Sequence, residues 1–134
     1  MAQKTTEFGD FVDQVLVNVF FQPDDALSLK TVKESFSPDF TANINGASIP
    51  GDTYKQAIAD SRAKSTFRVV KTEEILASHG ADRAKGGSVA HYTEFLVIDK
   101  ETGEEKKEAT VTIVTCVERD GKVVLESLTE VYRK

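Results

Sequence analysis

Beyond Thr66 the chain offers almost nothing but strand. Four consecutive segments, FRVVKTEEILASH, SVAHYTEFLVID, KEATVTIVTCVE and KVVLESLTEVYR, are rich in β-branched residues and joined by turn-forming stretches. A sheet of this kind needs apolar cover, and only the N-terminal half can supply it. There Phe8, Phe11, Val12, Val15, Leu16, Val19 and Phe20 recur at steps of three and four, which puts all of them on one stripe of a helix. Thr5 or Thr6 can cap its start, and Pro23, which lacks the N–H, ends it. A second helix begins at Asp24, Asp25 or Ser28, carries Leu29, Val32 and Phe36 on its apolar stripe, and stops at Ser37-Pro38.

A short strand follows, in which Phe40, Ala42 and Ile44 alternate with polar residues before an Asn45-Gly46 turn that suits a small hairpin. Pro50-Gly51 then leads into a third helix, capped by Asp52 or Thr53 and carrying Tyr54, Ala57 and Ile58 on its inner face. Helices first and long sequential strands after them predict an α+β domain. Its curved antiparallel sheet, a cone-like half barrel, wraps around three N-terminal helices. No repeat, low-complexity run or linker interrupts residues 1–134, so one domain is expected.

At 40% hydrophobic and 29% charged residues the chain can bury one core, and no run approaches the roughly 18 apolar residues needed to span a bilayer. The start, MAQKTTEFGDF, lacks a basic region followed by an apolar one, so a cytoplasmic location is expected. The single cysteine, Cys116, agrees with a reducing compartment. A net charge of −5 without a basic stripe argues against nucleic acid as a partner. His79 and His91 lack the spacing of a metal site and no glycine-rich phosphate loop follows a strand, so neither metal nor cofactor is expected. The glycines of GADRAKGGS read as a flexible connection.

Turn chemistry suggests which side chains face inward. A three-residue loop, Glu101-Thr102-Gly103, sets Lys100 against Glu104 and, counting back, Phe95 against Ala109, Thr93 against Val111, His91 against Ile113 and Val89 against Thr115. The face of Val111 and Ile113 is the better candidate for the concave side. For the last hairpin two registers are open. A loop of Arg119-Asp120-Gly121 turns Val123, Leu125, Ser127, Thr129 and Val131 inward, whereas a loop of Asp120-Gly121 alone turns Val124, Glu126, Leu128, Glu130 and Tyr132 inward. The first is preferred because it buries no glutamate, and the second would put two carboxylates in the pocket.

The three helices around a short strand, the FSPDFTANING…G…Y…I segment and the four long strands closing on RDGKVV resemble the nuclear-transport-factor-two-like superfamily. That cone-shaped α+β barrel is shared by SnoaL-like polyketide cyclases, ketosteroid isomerases and scytalone dehydratase. The likeness runs over nearly the whole chain but rests on element order. Ketosteroid isomerases need a helical tyrosine, a carboxylate base on the first strand and a protonated acid on a later one. The matching stretches here offer Leu16, Val19 and Phe20, then Ala42 and Ile44, then Ile113, so that apparatus is absent.

The resemblance implies a small hydrophobic ligand, with a cofactor-independent isomerase, cyclase or dehydratase moving a proton on a polyketide- or terpenoid-like compound as the enzymatic form. His91, able to act as acid or base near neutral pH, is the candidate catalyst, with Tyr54, Thr93, Phe95, Ile113, Thr115 and Phe40 lining the pocket. Of the adjacent Glu73 and Glu74 at most one can face inward, and Cys116, placed on the outer face, has no histidine beside it. The competing reading is a non-catalytic, dimeric protein-interaction domain whose cone is filled by Phe11, Phe36, Phe40, Phe67 and Phe95. A homodimer is expected in either case, because Tyr92, Leu96, Val114, Cys116, Leu128 and Tyr132 would otherwise form an exposed apolar patch.

Overall fold

The computed structural model describes residues 5–79 and 86–133, which leaves most of the GADRAKGGS connection outside the described residues. The chain opens with a helix, Glu7–Phe20 (α1), whose N-cap is Thr6. Thr6 Oγ1 accepts the Gly9 N–H at 2.9 Å, while the threonine's own N–H and O–H each donate to Glu74 Oε1 at 3.1 Å. One carboxylate thus fastens the start of the helix to the sheet. Glycine at position 9 leaves room for this contact, since a β-carbon there would coincide with that carboxylate oxygen and displace the Glu74 side chain. Glu74 is the inward member of its pair; Glu73 faces out and meets Lys71 at 3.1 Å. Of the predicted stripe, Phe11 departs: it sits at the exposed edge of the helix.

The second helix, Asp25–Ser35 (α2), starts where Asp24 accepts the Ala26 and Leu27 N–H groups at 3.0 and 3.2 Å. Its buried face is narrow and mixed, made of Ser28, Thr31 and Val32, so Leu29 points into solvent at 72% exposure. Phe36 is not helical. Ser37, ahead of Pro38, is pushed toward extended backbone, and the strand Phe36–Ile44 (β1) begins one residue earlier. The Asn45-Gly46 turn, with φ of +49° and +87°, returns it as Ala47–Pro50 (β2). The third helix, Gly51–Lys64 (α3), begins before Asp52 and Thr53, with Pro50 at the N-cap and no side-chain cap bond. From α3, Arg62 reaches back to the junction of the first two helices. It donates to Val19 O at 3.0 Å, Gln22 O at 2.9 Å and Asp25 Oδ1 at 2.9 Å.

The remaining strands are Ser65–His79 (β3), Gly86–Asp99 (β4), Glu105–Arg119 (β5) and Lys122–Arg133 (β6). Sheet order is β2-β1-β6-β5-β4-β3. Every neighbouring pair is antiparallel except β1 and β6, which run parallel, so the curved, unclosed sheet is mixed rather than wholly antiparallel. Its concave side holds the core, where Val12, Val19, Phe40, Val89, Val114, Leu125 and Leu128 are almost fully buried against the helices.

Two turns correct the expected registers. At the first, the Asp99 carboxylate accepts the N–H groups of Glu101 and Thr102, both at 2.8 Å, and the Asp99 N–H donates to Glu104 O at 2.9 Å. Lys100 has no part in the ladder, because its N–H donates to Lys64 O at the end of α3. The loop is therefore Lys100–Gly103, and β5 shifts by one residue relative to the expected pairing. His91 lies opposite Thr112, Thr93 opposite Thr110 and Phe95 opposite Glu108. The concave face of β5 is Thr110, Thr112, Val114 and Cys116, while Ile113, at 46% exposure, and Thr115 belong to the convex side. Cys116 is thus buried, not external, and burial pushes its thiol up to about 12, which leaves it inert as a nucleophile at neutral pH.

At the second turn Asp120 and Gly121 take φ of +52° and +77° in a two-residue loop, with Arg119 opposite Lys122. The preferred three-residue reading does not hold. Farther along, Cys116 pairs with Leu125 but Thr115 with Ser127, so Glu126 is an extra, unpaired residue. Leu125 faces inward before this bulge and Leu128, Glu130 and Tyr132 after it. Glu126 leaves the concave side altogether and meets Arg119 at 3.2 Å. Of the two glutamates in question, Glu130 borders the cavity and Glu126 does not. The predicted dimer patch changes accordingly, since Val114, Cys116 and Leu128 are core and Tyr132 faces the cavity.

Candidate functional site

Between α1, α3 and the concave sheet lies a cavity of about 280 Å³. One wall is aromatic. Phe21 sits edge-on to Phe95 at 5.6 Å between ring centroids, Phe95 to Phe67 at 6.3 Å, and Phe67 to Phe20 at 6.4 Å. Beneath them Phe36, Phe40 and Tyr54 form a second cluster, with Phe40 tilted against Phe36 at 4.6 Å and edge-on to Tyr54 at 5.4 Å. Tyr54 borders the cavity; Phe40 does not, because it is buried one layer below. The opposite wall is polar and comes from three adjacent strands: Thr93 from β4, Glu108, Thr110 and Thr112 from β5, and Glu130 and Tyr132 from β6.

Glu130 is the chemically distinctive group. Burial, and secondarily the nearby Glu108 carboxylate, push it up to about 7, so that it carries a proton about half of the time at neutral pH. No ion pair engages Glu130 or Glu108 among the described residues. Tyr54 is held as the neutral phenol, first by burial and then by the charge of Glu130. Thr112, opposite Glu130 in the ladder, has a buried hydroxyl without a hydrogen-bond partner among the described residues. A weak acid near neutrality, a phenol O–H and a free hydroxyl converging on an apolar cavity can orient a polar ligand group and exchange a proton with it. No cluster of three or more His, Cys, Asp or Glu among the described residues is arranged to hold a metal ion.

The sequence-level site residues are divided by this geometry. Tyr54, Thr93 and Phe95 line the cavity together, whereas Ile113 and Thr115 stand on the convex face, where Thr115 bonds Ser88 at 2.9 Å. His91 is on the concave side, as its strand register requires, but does not border the cavity. It lies within electrostatic reach of Asp13 and Asp10 of α1 and of Glu74, and is 3% exposed. Burial lowers its pKa despite those three carboxylates, so the ring is neutral, and its Nδ1 lacks a partner among the described residues. Glu108, Thr110 and Thr112 were the residues missed, and Glu130 faced inward only in the register that was not preferred. The signal for the first three was Asp99, whose carboxylate can close a turn on its own; nothing local marks the bulge at Glu126.

No family model matches the sequence and no curated protein resembles it. Solved structures do. A conserved protein from Planctomyces limnophilus has a TM-score of 0.75 at 7% identity, over 91% of this chain and 93% of its own. A ketosteroid isomerase-like protein from Erwinia carotovora atroseptica has 0.69 at 12%, over 97% and 99%. A nuclear transport factor 2-like superfamily protein from Salmonella enterica serovar Typhimurium has 0.65 at 8%, over 90% and 87%. No helix among the described residues is long and apolar enough to cross a membrane. Element order, the curved mixed sheet and these similarities together give the chain the cone-shaped α+β fold of the nuclear-transport-factor-two-like superfamily.

Proposed function

We propose that the cone binds a small, largely hydrophobic molecule and moves a proton on it without a cofactor, as an isomerase, cyclase or dehydratase acting in the cytoplasm. The observation that carries this reading is Glu130, a carboxyl group near neutrality in the wall of an apolar cavity. It supplies the acid or base that the sequence had sought in His91, with Tyr54 and Thr112 as orienting groups. His91 supports the site from behind, next to Thr112 in the ladder. The fold's other use, as a protein-interaction domain, would favour a filled cone. Here Phe36 and Phe40 fill only its lower layer, Phe67 and Phe95 line an open space, and Phe11 lies outside.

Thermal unfolding in the presence of neutral aromatic polyketides and terpenoids tests the reading. A ligand at about 100 times its Kd adds roughly 2.7 kcal/mol, a rise in melting temperature of several degrees. Thr93→Trp, which places an indole in the cavity, should abolish that rise while leaving the unliganded protein folded. A broad panel without effect on the wild type counts against a ligand site and for the interaction domain.

The same proposal includes a homodimer through the convex sheet. Leu76, Ala90 and Ile113 form one cross-strand row there, and Tyr92, Val111 and Val131 the next. Leu76, Ile113 and Val131 are among the exposed large apolar side chains. Light scattering after gel filtration should give twice the chain mass, and Ile113→Glu, in the middle strand, should return it to one. A wild-type monomer at micromolar concentration would remove this interface.

A further inference from the structure

The polar wall of the cavity bears two carboxylates, Glu108 and Glu130, and the lining contains no lysine, arginine or histidine. Six aromatic rings contribute to the same lining, from Phe20, Phe21, Tyr54, Phe67, Phe95 and Tyr132. The faces of such rings are regions of negative potential, so both the rings and the acids favour a positive guest. A second observation points to the same place independently. Thr112, 6% exposed, borders the cavity opposite Glu130 and has a hydroxyl oxygen with no partner among the described residues. An anionic ligand would add a third negative charge to this wall, and a neutral one would leave the two acids to repel each other. A protonated amine satisfies the set: its N–H groups can donate to the carboxylate and to the threonine oxygen, with an apolar body against the rings.

We propose that the cavity selects a hydrophobic amine, holding its ammonium group at Glu130 and Thr112 and its ring among Phe20, Phe21, Phe67 and Phe95, with Glu108 adding attraction at longer range. This rests on the cavity being a ligand site and is independent of proton transfer.

Calorimetric titration of the full chain with three compounds that share a phenyl ring and differ in head group tests it: 2-phenylethylamine, 2-phenylethanol and 3-phenylpropionate. At a pH of about 7.5 the amine should bind at least about 10-fold more tightly than the alcohol, with the carboxylate weakest. Glu130→Gln should bring amine and alcohol to within about 2-fold of each other, and Glu108→Gln should cost the amine about 3-fold. At a pH of about 6.5, two buffers of different ionisation heat should show proton release on binding the amine and none on binding the alcohol. Equal binding of amine and alcohol by the wild type, or a preference for the carboxylate, overturns the proposal. Failure of the amine alone, while neutral polycyclic ligands still raise the melting temperature, overturns it too but leaves the ligand site standing. Silence from all of them removes both.

Discussion

Glu130→Gln is expected to lower turnover by roughly 10²- to 10⁴-fold, the range lost with a general acid or base, while making the protein more stable at alkaline pH. The two effects have one origin. In the folded chain the carboxyl group holds its proton up to about 7, against an ordinary value of 4.5, so between those limits folding takes up a proton. Stability is then fully present below the lower value and falls as pH rises to the upper one, because the folded state binds more protons than the unfolded state. The penalty at alkaline pH is at most roughly 3 kcal/mol, and less to the extent that cavity water screens the charge. Glutamine carries no charge and escapes the penalty. Urea titrations at a pH of about 5 and of about 8 should show the variant gaining on the wild type by roughly 2–3 kcal/mol between the two. Parallel stability curves would mean that Glu130 is solvated, and unchanged turnover would free it from the chemistry.

The largest loss of stability is expected at Arg62. Its guanidinium, 8% exposed as a residue, satisfies the carbonyls of Val19 and Gln22 and pairs with Asp25 at 2.8 Å. Val19 lies in the last turn of α1 and Gln22 just beyond its C-cap, where no intrahelical donor remains, so the arginine caps one helix from another. Arg62→Met keeps most of the apolar stem and removes every donor. Losing these bonds, which strands the Gln22 carbonyl and leaves Val19 O only its bond from Ser28, should cost roughly 3–5 kcal/mol, given about 1.5–3 kcal/mol for each bond to a charged group. Arg62→Lys should recover only part of this, because a single ammonium cannot span three acceptors in a planar fork. Chemical denaturation of the two variants checks the order. An Arg62→Met protein within about 1 kcal/mol of the wild type would show that water replaces the guanidinium without strain.

How much of this was visible in the sequence depends on how local each signal is. Thr6 and Asp24 as caps, Asn45-Gly46 as a turn and the four long strands were legible, because each rests on a few neighbouring residues. The concave identity of His91, Thr93 and Phe95 was legible too. What failed was transfer of register from one strand to the next, where a single residue exchanges faces. Asp99 moved the first turn by one position through a side-chain bond, and Lys100 was drawn off by the end of α3, a contact no local pattern contains. Burying two glutamates together is costly, and the strand avoids it in a way neither unbroken register allows. The fold expels Glu126 through a bulge and sets Glu130 half-buried beside the end of β1, where the Asn45 N–H of the following turn donates to Glu130 O at 2.9 Å. Leu29 was misplaced because α2 covers its neighbours with small hydroxyl side chains. Ser28 donates to Val19 O at 2.8 Å, and Thr31 to Leu27 O at 2.8 Å.

The bulge at Glu126 acts as a phase shifter. Upstream and downstream of it the strand keeps its two-residue alternation, but the two stretches are out of step, and the functional wall is written in the second. Were Glu126 instead taken into the ladder opposite Thr115, everything from Ser127 to Arg133 would move one position along β5, sending Glu130 and Tyr132 to the convex face and Thr129 and Val131 into the cavity, whereas deleting Glu126 would leave both stretches in their present registers. No single substitution could change the chamber so much. In a lineage that shares this frame, ironing out the bulge with its residue retained would exchange a chamber with two acids for one with Glu108 alone while every strand stayed in place. The pairing of the strand carries chemical information here that the identity of its residues does not.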